Sequence, residues 1–382
     1  MVKYKIIHIH TDLKFINDSN RFINDIYENE NFIIGGGNTH SNYDINTTFF
    51  DFSKKNLKKI INYCKSVDFV ILYDLNFAKA YIANRLPKKV KIIWRFFGLE
   101  LYSKIPHLVY SDITREILSN QTKNNFFIQV KNNITTFYNK LRFMTDFNTE
   151  FENAAFKRVD FFHGLSYKEY DFLKTLWPKL PTFLQIDYSF IKPNLSNLKP
   201  IPQKGKLVLI GNNKSAYNNH LDIIEILKKN GPYNKYKFLL LFNYGQNNNY
   251  TDAVKDKCLD IKEIKILENF LNKEEFNNLY LDTIALVING YRQMAMGNIF
   301  EAFKNGTKVY LNEKNIILKW LREEGFLLSS IDDFAYDLKN ELIEFNENEI
   351  THNQNQLIKL ASKYSQKDLF KALDGITNKS IK

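Results

Sequence analysis

The chain predicts an α/β fold of two Rossmann-like, doubly wound domains facing a cleft. Three observations carry this expectation. Short apolar runs alternate with longer mixed stretches in both halves, the pattern of buried parallel strands joined by helical crossovers. The segment 191–205, IKPNLSNLKPIPQKG, holds three of the eight prolines and has neither helical nor strand periodicity, as an interdomain linker does. A length of 382 residues exceeds what one hydrophobic core usually organises.

In the first half the runs Lys5 to His10, Asp68 to Leu72, Val90 to Trp94 and Val159 to His163 read as buried strands. The second half repeats the pattern in Lys206 to Ile210, Lys237 to Phe242, Ile264 to Leu267, Thr283 to Ile288 and Thr307 to Leu311. Between them Leu221 to Lys229 and Lys273 to Leu281 read as helices, and Ser166 is placed to cap a helix over Tyr167 to Leu176. The expected division is 1–195, a linker at 196–205, and 206–382, with the last helix packing back on the first domain. One segment departs from the alternation. From Phe127 to Met144 apolar residues recur at three- and four-residue steps around Lys131, Lys140 and Arg142, predicting an amphipathic basic helix. It is expected to serve either as a core-facing helix with a solvated face or as a contact for anionic lipid or a lipid-linked acceptor.

Hydrophobic residues at 44% and charged residues at 25% exclude wholesale disorder and fibrous repeats. Aromatic residues, at 15%, supply material for two cores and a binding surface. Cys64 and Cys258 stand too far apart in sequence to suggest a disulfide framework or a cysteine-based zinc site. The start lacks the apolar core of a signal peptide, and no run approaches the roughly 18 apolar residues of a spanning helix. A cytoplasmic protein, soluble or peripheral to a membrane, is therefore expected. An excess of 53 Lys and Arg over 42 Asp and Glu gives a net charge of +11 and favours anionic partners: nucleic acid, anionic lipid or a phosphorylated small molecule.

Ligands of open parallel sheets bind beyond the carboxyl ends of strands, so three loops carry the candidate chemistry. In the first, Gly211 to His220, small and amide side chains let backbone N–H groups approach an anion, and Asn218 or Asn219 is placed to cap the following helix. It is neither a Walker loop nor a GxGxxG turn. In the second, Asn289 to Glu301, Arg292 offers a forked donor to phosphate, and Gly297 with Asn298 would bring the N-terminus of a helix over Ile299 to Lys304 against the same charge. Glu301 would accept ribose hydroxyls or complement the helix dipole. In the third, Trp94 to Tyr102, Glu100 stands where a general base would act, or is a solvated loop acid. Asp74, at a strand end, is a second candidate base. His8 and His10 share a strand face, and His10 has either a core or a catalytic role. The triple glycine Gly35-Gly36-Gly37 reads as a turn rather than a phosphate loop, and no Ser-His-Asp arrangement follows from the order of residues.

Taken together, GNNKSAYNNH (211–220), FGLELY (97–102) and YRQMAMGNIFEAFKNGTKVYLNEKN (291–315) resemble blocks of the bacterial 4-alpha-L-fucosyltransferase family, glycosyltransferase family 56. Phe97, Leu99 and Glu100 stand where that family has tryptophan, glycine and aspartate. The resemblance implies a two-domain glycosyltransferase B fold. It also implies transfer of 4-acetamido-4,6-dideoxygalactose from its dTDP-sugar to a lipid-linked saccharide in enterobacterial common antigen assembly. Under it the second domain holds the nucleotide diphosphate sugar and the first the saccharide acceptor, at the inner face of the bacterial cytoplasmic membrane. Arg292, Gly297 and Asn298 would hold the diphosphate and Glu301 the ribose, with Gly211, Asn212, Ser215, Asn219, Tyr291, Gln293 and Ile299 lining the donor site. No Asp-x-Asp occurs, so neither a metal nor another cofactor is expected, and the helix dipole and cations would stabilise the leaving diphosphate. Glu100 would deprotonate the acceptor hydroxyl, and domain closure about the linker would accompany donor binding. Two rivals are a nucleotide-sugar epimerase or hydrolase of the same fold and a noncatalytic nucleic-acid-binding protein. Against the second, the basic residues are dispersed and RNP, KH and zinc-finger patterns are absent, so no nucleic-acid partner is expected.

Overall fold

The computed structural model describes residues 4–35, 43–123, 140–145, 148–188, 191, 205–231 and 235–380. Contacts divide the chain into two units: Met1–Leu101 with Phe127–Asp187 and Tyr364–Lys382, and Tyr102–Phe126 with Tyr188–Lys363. The division thus changes unit after Leu101, Phe126, Asp187 and Lys363; of the expected linker, residues 192–204 lie outside the described ones.

The first unit is built on seven parallel strands: β1 (Tyr4–His10), β2 (Tyr27–Ile34), β3 (Asn46–Phe50), β4 (Phe69–Tyr73), β5 (Lys91–Arg95), β6 (Phe161–Gly164) and β7 (Thr182–Gln185). Their order is β3-β2-β1-β4-β5-β6-β7, so the winding direction reverses between β1 and β4. All five residues of β4, FVILY, are buried, as a central parallel strand covered on both faces requires. Flanking helices follow from apolar spacing: Lys54–Cys64 buries Leu57, Ile60, Ile61 and Cys64, and its N-cap Ser53 accepts the Asn56 N–H. Ser166 caps Tyr167–Leu176 by accepting the Lys168 N–H. The C-terminal helix Gln366–Ser380 belongs to this unit; Leu369 and Leu373 join its core, and the Tyr27 hydroxyl donates to Asp374 at 2.7 Å.

The second unit has six parallel strands: β8 (Leu207–Ile210), β9 (Lys237–Leu241), β10 (Ile264–Leu267), β11 (Thr283–Ile288), β12 (Lys308–Leu311) and β13 (Ser329–Ser330). The order β10-β9-β8-β11-β12-β13 reverses between β8 and β11. Val208, Ile210, Leu240, Ala285 and Val287 form its core with Leu221, Ile224 and Leu227 of the helix His220–Asn230.

Strands β2, β3, β7 and β13 go beyond the sequence expectation. In β2, YENENFII, the first half is polar because Asn29 and Asn31 pair with histidines of β1 rather than with apolar groups. Of the expected basic helix Phe127 to Met144, residues 127–139 lie outside the described ones; in the remainder Phe143 is buried and Leu141 and Met144 are exposed. Gly36 and Gly37 also lie outside, while Gly35 has φ +79°, as a turn glycine does. Among the described residues no helix is long and apolar enough to cross a membrane. Both cysteines are free and buried, and burial pushes the Cys258 thiol up to about 12.

Candidate functional site

Each sheet has one point where its winding reverses, and loops leaving the adjacent strands meet there. In the second unit these are the loops after β8 and β11, the two singled out from sequence. Gly211 follows β8 at φ +71°; a Cβ there would lie 2.6 Å from His220 Nε2, so only glycine turns the chain here. Asn218 then folds the loop on itself, accepting the Asn212 N–H at 3.2 Å and donating to the Asn213 and Ser215 carbonyls. Ser215 accepts the Tyr217 N–H at 3.4 Å and so caps the short turn Ala216–Asn218.

Asn219 does not cap the following helix with its side chain. It is wholly buried at φ 46°, and its Oδ1 accepts the Ser111 N–H at 2.9 Å while its Nδ2 donates to the Val109 and Asn289 carbonyls. This residue therefore positions the site by joining the β8 and β11 loops to the segment 102–123. Asn289 returns a bond to the Asn219 carbonyl, Asn312 donates to Asn289 Oδ1 at 2.7 Å, and Asn315 donates to the Gly290 carbonyl. Side-chain amides thus fix three loops at the carboxyl end of the sheet.

Within this frame the Arg292 guanidinium carbon lies 4.4 Å from the ring centre of Tyr217 and 5.4 Å from that of Tyr102. Tyr217 in turn stacks on Tyr110, centroids 4.9 Å apart at 21°. Nη1 of Arg292 donates to the Gln293 carbonyl at 2.9 Å, and among the described residues no carboxylate pairs with this half-buried cation. Arg292 Nε, Gln293 Oε1 and Asn212 Oδ1 are buried without a hydrogen-bond partner among the described residues. Tyr291 lies under the Lys314 ammonium at 4.5 Å, and burial pushes its phenol up to about 12.

The helix after this loop begins at Met296, three residues before the expected Ile299, because Ala295 takes φ 57° and turns the chain into it. Gly297 and Asn298 consequently lie in its first turn, where no side chain caps the N–H groups. Gly297 is exposed and a Cβ there would meet nothing, whereas Ile299 is a core residue. Glu301 is held by its own helix: Oε1 accepts Lys304 Nζ at 3.0 Å and Asn305 Nδ2 at 2.9 Å.

In the first unit the reversal lies at the ends of β1 and β4. Asp74 sits there at φ 72°, its Oδ1 accepting the Asn76 N–H and its Oδ2 paired at 2.8 Å with Lys79, whose side chain is wholly buried. Lys79 also donates to Thr11 Oγ1 at 2.9 Å. The Glu100 Oε1 accepts the Trp94 indole N–H at 3.0 Å, while its Oε2 is buried without a partner among the described residues. Burial raises the Glu100 carboxyl, and the Asp74 charge adds to the rise. His10 is fully buried, bonded to Asn31 at 3.1 Å and stacked 3.9 Å from Tyr73; burial lowers it to about 3, so it stays neutral. His8 is likewise a core histidine bonded to Asn29. Among the described residues no cluster of three or more His, Cys, Asp or Glu is placed to hold a metal ion.

Sequence reasoning had not singled out Tyr102, Tyr110, Tyr217 or Asn289 individually. They converge from positions far apart along the chain, and only the abundance of tyrosine hinted at an aromatic site.

No family model matches the chain, and no curated protein matches it in sequence. Among solved structures it is similar to sucrose-phosphate synthase from Thermosynechococcus elongatus, at TM-score 0.65 and 10% identity over 99% of each chain. It is also similar to a UDP-forming trehalose-phosphate synthase from Burkholderia xenovorans, at TM-score 0.62 and 9% identity over 98% of each chain. An alpha-glucosyltransferase in complex with UDP aligns at TM-score 0.57 and 10% identity over 97% of this chain and 99% of that one. At such identities the likeness speaks for architecture, and two Rossmann-like parallel-sheet domains of this kind are the glycosyltransferase B fold.

Proposed function

We propose that the protein is a glycosyltransferase whose second unit binds a nucleotide diphosphate sugar through Arg292 and the uncapped helix Met296–Lys304. The observation that carries this reading is Arg292 itself: a half-buried cation at a sheet's reversal point, held by tyrosine faces and with no carboxylate partner among the described residues. Desolvating a charge without a counter-ion is costly, and a diphosphate supplies that counter-ion. Free N–H groups at the helix start add a favourable dipole. Solved structures of the same fold are described as complexes with UDP, which supports the ligand class.

In the first unit Glu100 is the proposed general base. Its carboxyl oxygen Oε2 has no partner among the described residues, whereas Asp74 already neutralises Lys79 and His10 is locked in the core. Glu301 is proposed to reach the donor ribose after exchanging a bond now made to Lys304 or Asn305. From the resemblance to glycosyltransferase family 56, the finer reading is a dTDP-linked 4-acetamido-4,6-dideoxy sugar, a lipid-linked saccharide acceptor at the cytoplasmic membrane face, and catalysis without a divalent metal.

A thermal-shift panel of dTDP, UDP, GDP and CMP tests the donor class; selective stabilisation by one diphosphate is expected, and none would overturn the reading. Transfer assayed with and without a chelator checks metal independence. Sugar release at a rate independent of added saccharide would instead identify a hydrolase.

A further inference from the structure

We propose that Tyr217 is a positioning residue for the donor diphosphate, acting through Arg292; the inference rests on the function proposed above. Tyr217 comes from the β8 loop and Arg292 from the β11 loop, so their contact joins the two segments that meet at the reversal point. The tyrosine is itself fixed. It is 7% exposed, stacks on Tyr110, and its carbonyl would lie 3.2 Å from a Cβ at Gly290, so the glycine permits the β11 loop to pass beside it.

The choice of an aromatic ring rather than an acid has a consequence for chemistry. A carboxylate would orient Arg292 but cancel its charge and compete with phosphate for the same N–H groups. A ring face attracts the guanidinium through its quadrupole and leaves the full positive charge and the unoccupied donors to a ligand. Tyr102, 5.4 Å from the same carbon, adds a second face. Arg292 is thus held in place before the ligand arrives, which lowers the ordering cost of binding.

Calorimetric titration of the full chain with UDP and dTDP, and with uridine and thymidine, tests this. Tyr217→Leu is expected to weaken the bound diphosphate about 2- to 30-fold, the range of a cation–π contact, while leaving the nucleoside unchanged. Tyr217→Phe, which keeps the ring, should bind within about twofold of wild type. Unchanged diphosphate affinity in Tyr217→Leu would overturn the proposal, as would equal loss for diphosphate and nucleoside, which marks a merely structural role. Should Tyr217→Leu fail to fold, fluorinated phenylalanines at position 217 keep the shape while draining the ring face; stepwise weakening with fluorination supports the proposal and a flat series refutes it. Wild-type protein that binds no nucleoside diphosphate overturns the donor reading itself, and Tyr217 with it.

Discussion

Lys79 Nζ lies 2.8 Å from Asp74 Oδ2, and the lysine is completely buried while its partner takes a left-handed backbone angle at the end of β4. Burial lowers the lysine pKa, and the Asp74 charge opposes that. The pair gives the acid at this strand end a structural task, neutralising a buried cation.

Asp74→Asn tolerates the same backbone conformation but strands a buried cation, so it should cost about 3 to 5 kcal/mol in chemical denaturation. Lys79→Met combined with Asp74→Asn should recover most of that loss. A single variant as stable as wild type would show that the ion pair is not what holds this corner.

Glu100 makes a prediction with two readouts. Its folded carboxyl favours the proton more than the unfolded one does, so its contribution to stability is full below the ordinary value near 4.5 and is lost as pH rises through the raised pKa. Glu100→Gln should therefore flatten the decline of Tm with pH above that value. As the base, deprotonated Glu100 should make wild-type transfer rise with pH over the same window, and the variant should lower transfer about 100- to 10,000-fold without weakening diphosphate binding. A fully active variant would move the base elsewhere.

The buried histidines predict acid sensitivity. Burial lowers His8 to about 4 and His10, His163 and His220 to about 3. Their neutral forms belong to the fold, whereas the unfolded chain takes up protons near 6.5, so stability is present above that pH and lost as pH falls toward the folded values. Three of the four lie in the first unit, and near pH 5 these histidines should take up about three protons on unfolding, contributing a slope of about 4 kcal/mol per pH unit that the proton released by Glu100 partly offsets. Calorimetry in buffers of different ionisation enthalpy measures that uptake; none at all would contradict the assignment.

Legibility followed physical character. Runs such as FVILY in β4 and TIALVI in β11 are buried on both faces and announce themselves as strands. The edge strand NTTFF buries only Phe50 and carries no apolar run, and in the half-polar YENENFII the asparagines answer histidines on β1. At the site, Arg292 and the loops that carry Gly211 and Gly297 stood out by residue type and position. Local sequence could not show that Asn219 would forgo its capping role for Ser111 and Asn289, or that Tyr102 and Tyr217 would meet over one guanidinium, because those contacts join residues about 70 to 190 positions apart.

Titration of wild type and Arg292→Ala with dTDP and UDP tests the central claim most directly. Wild type should bind at least one of them, and the variant should lose about 2 to 4 kcal/mol of that affinity, roughly 30- to 1,000-fold. Equal affinity in the two proteins would contradict the assignment of Arg292 as the diphosphate's counter-ion.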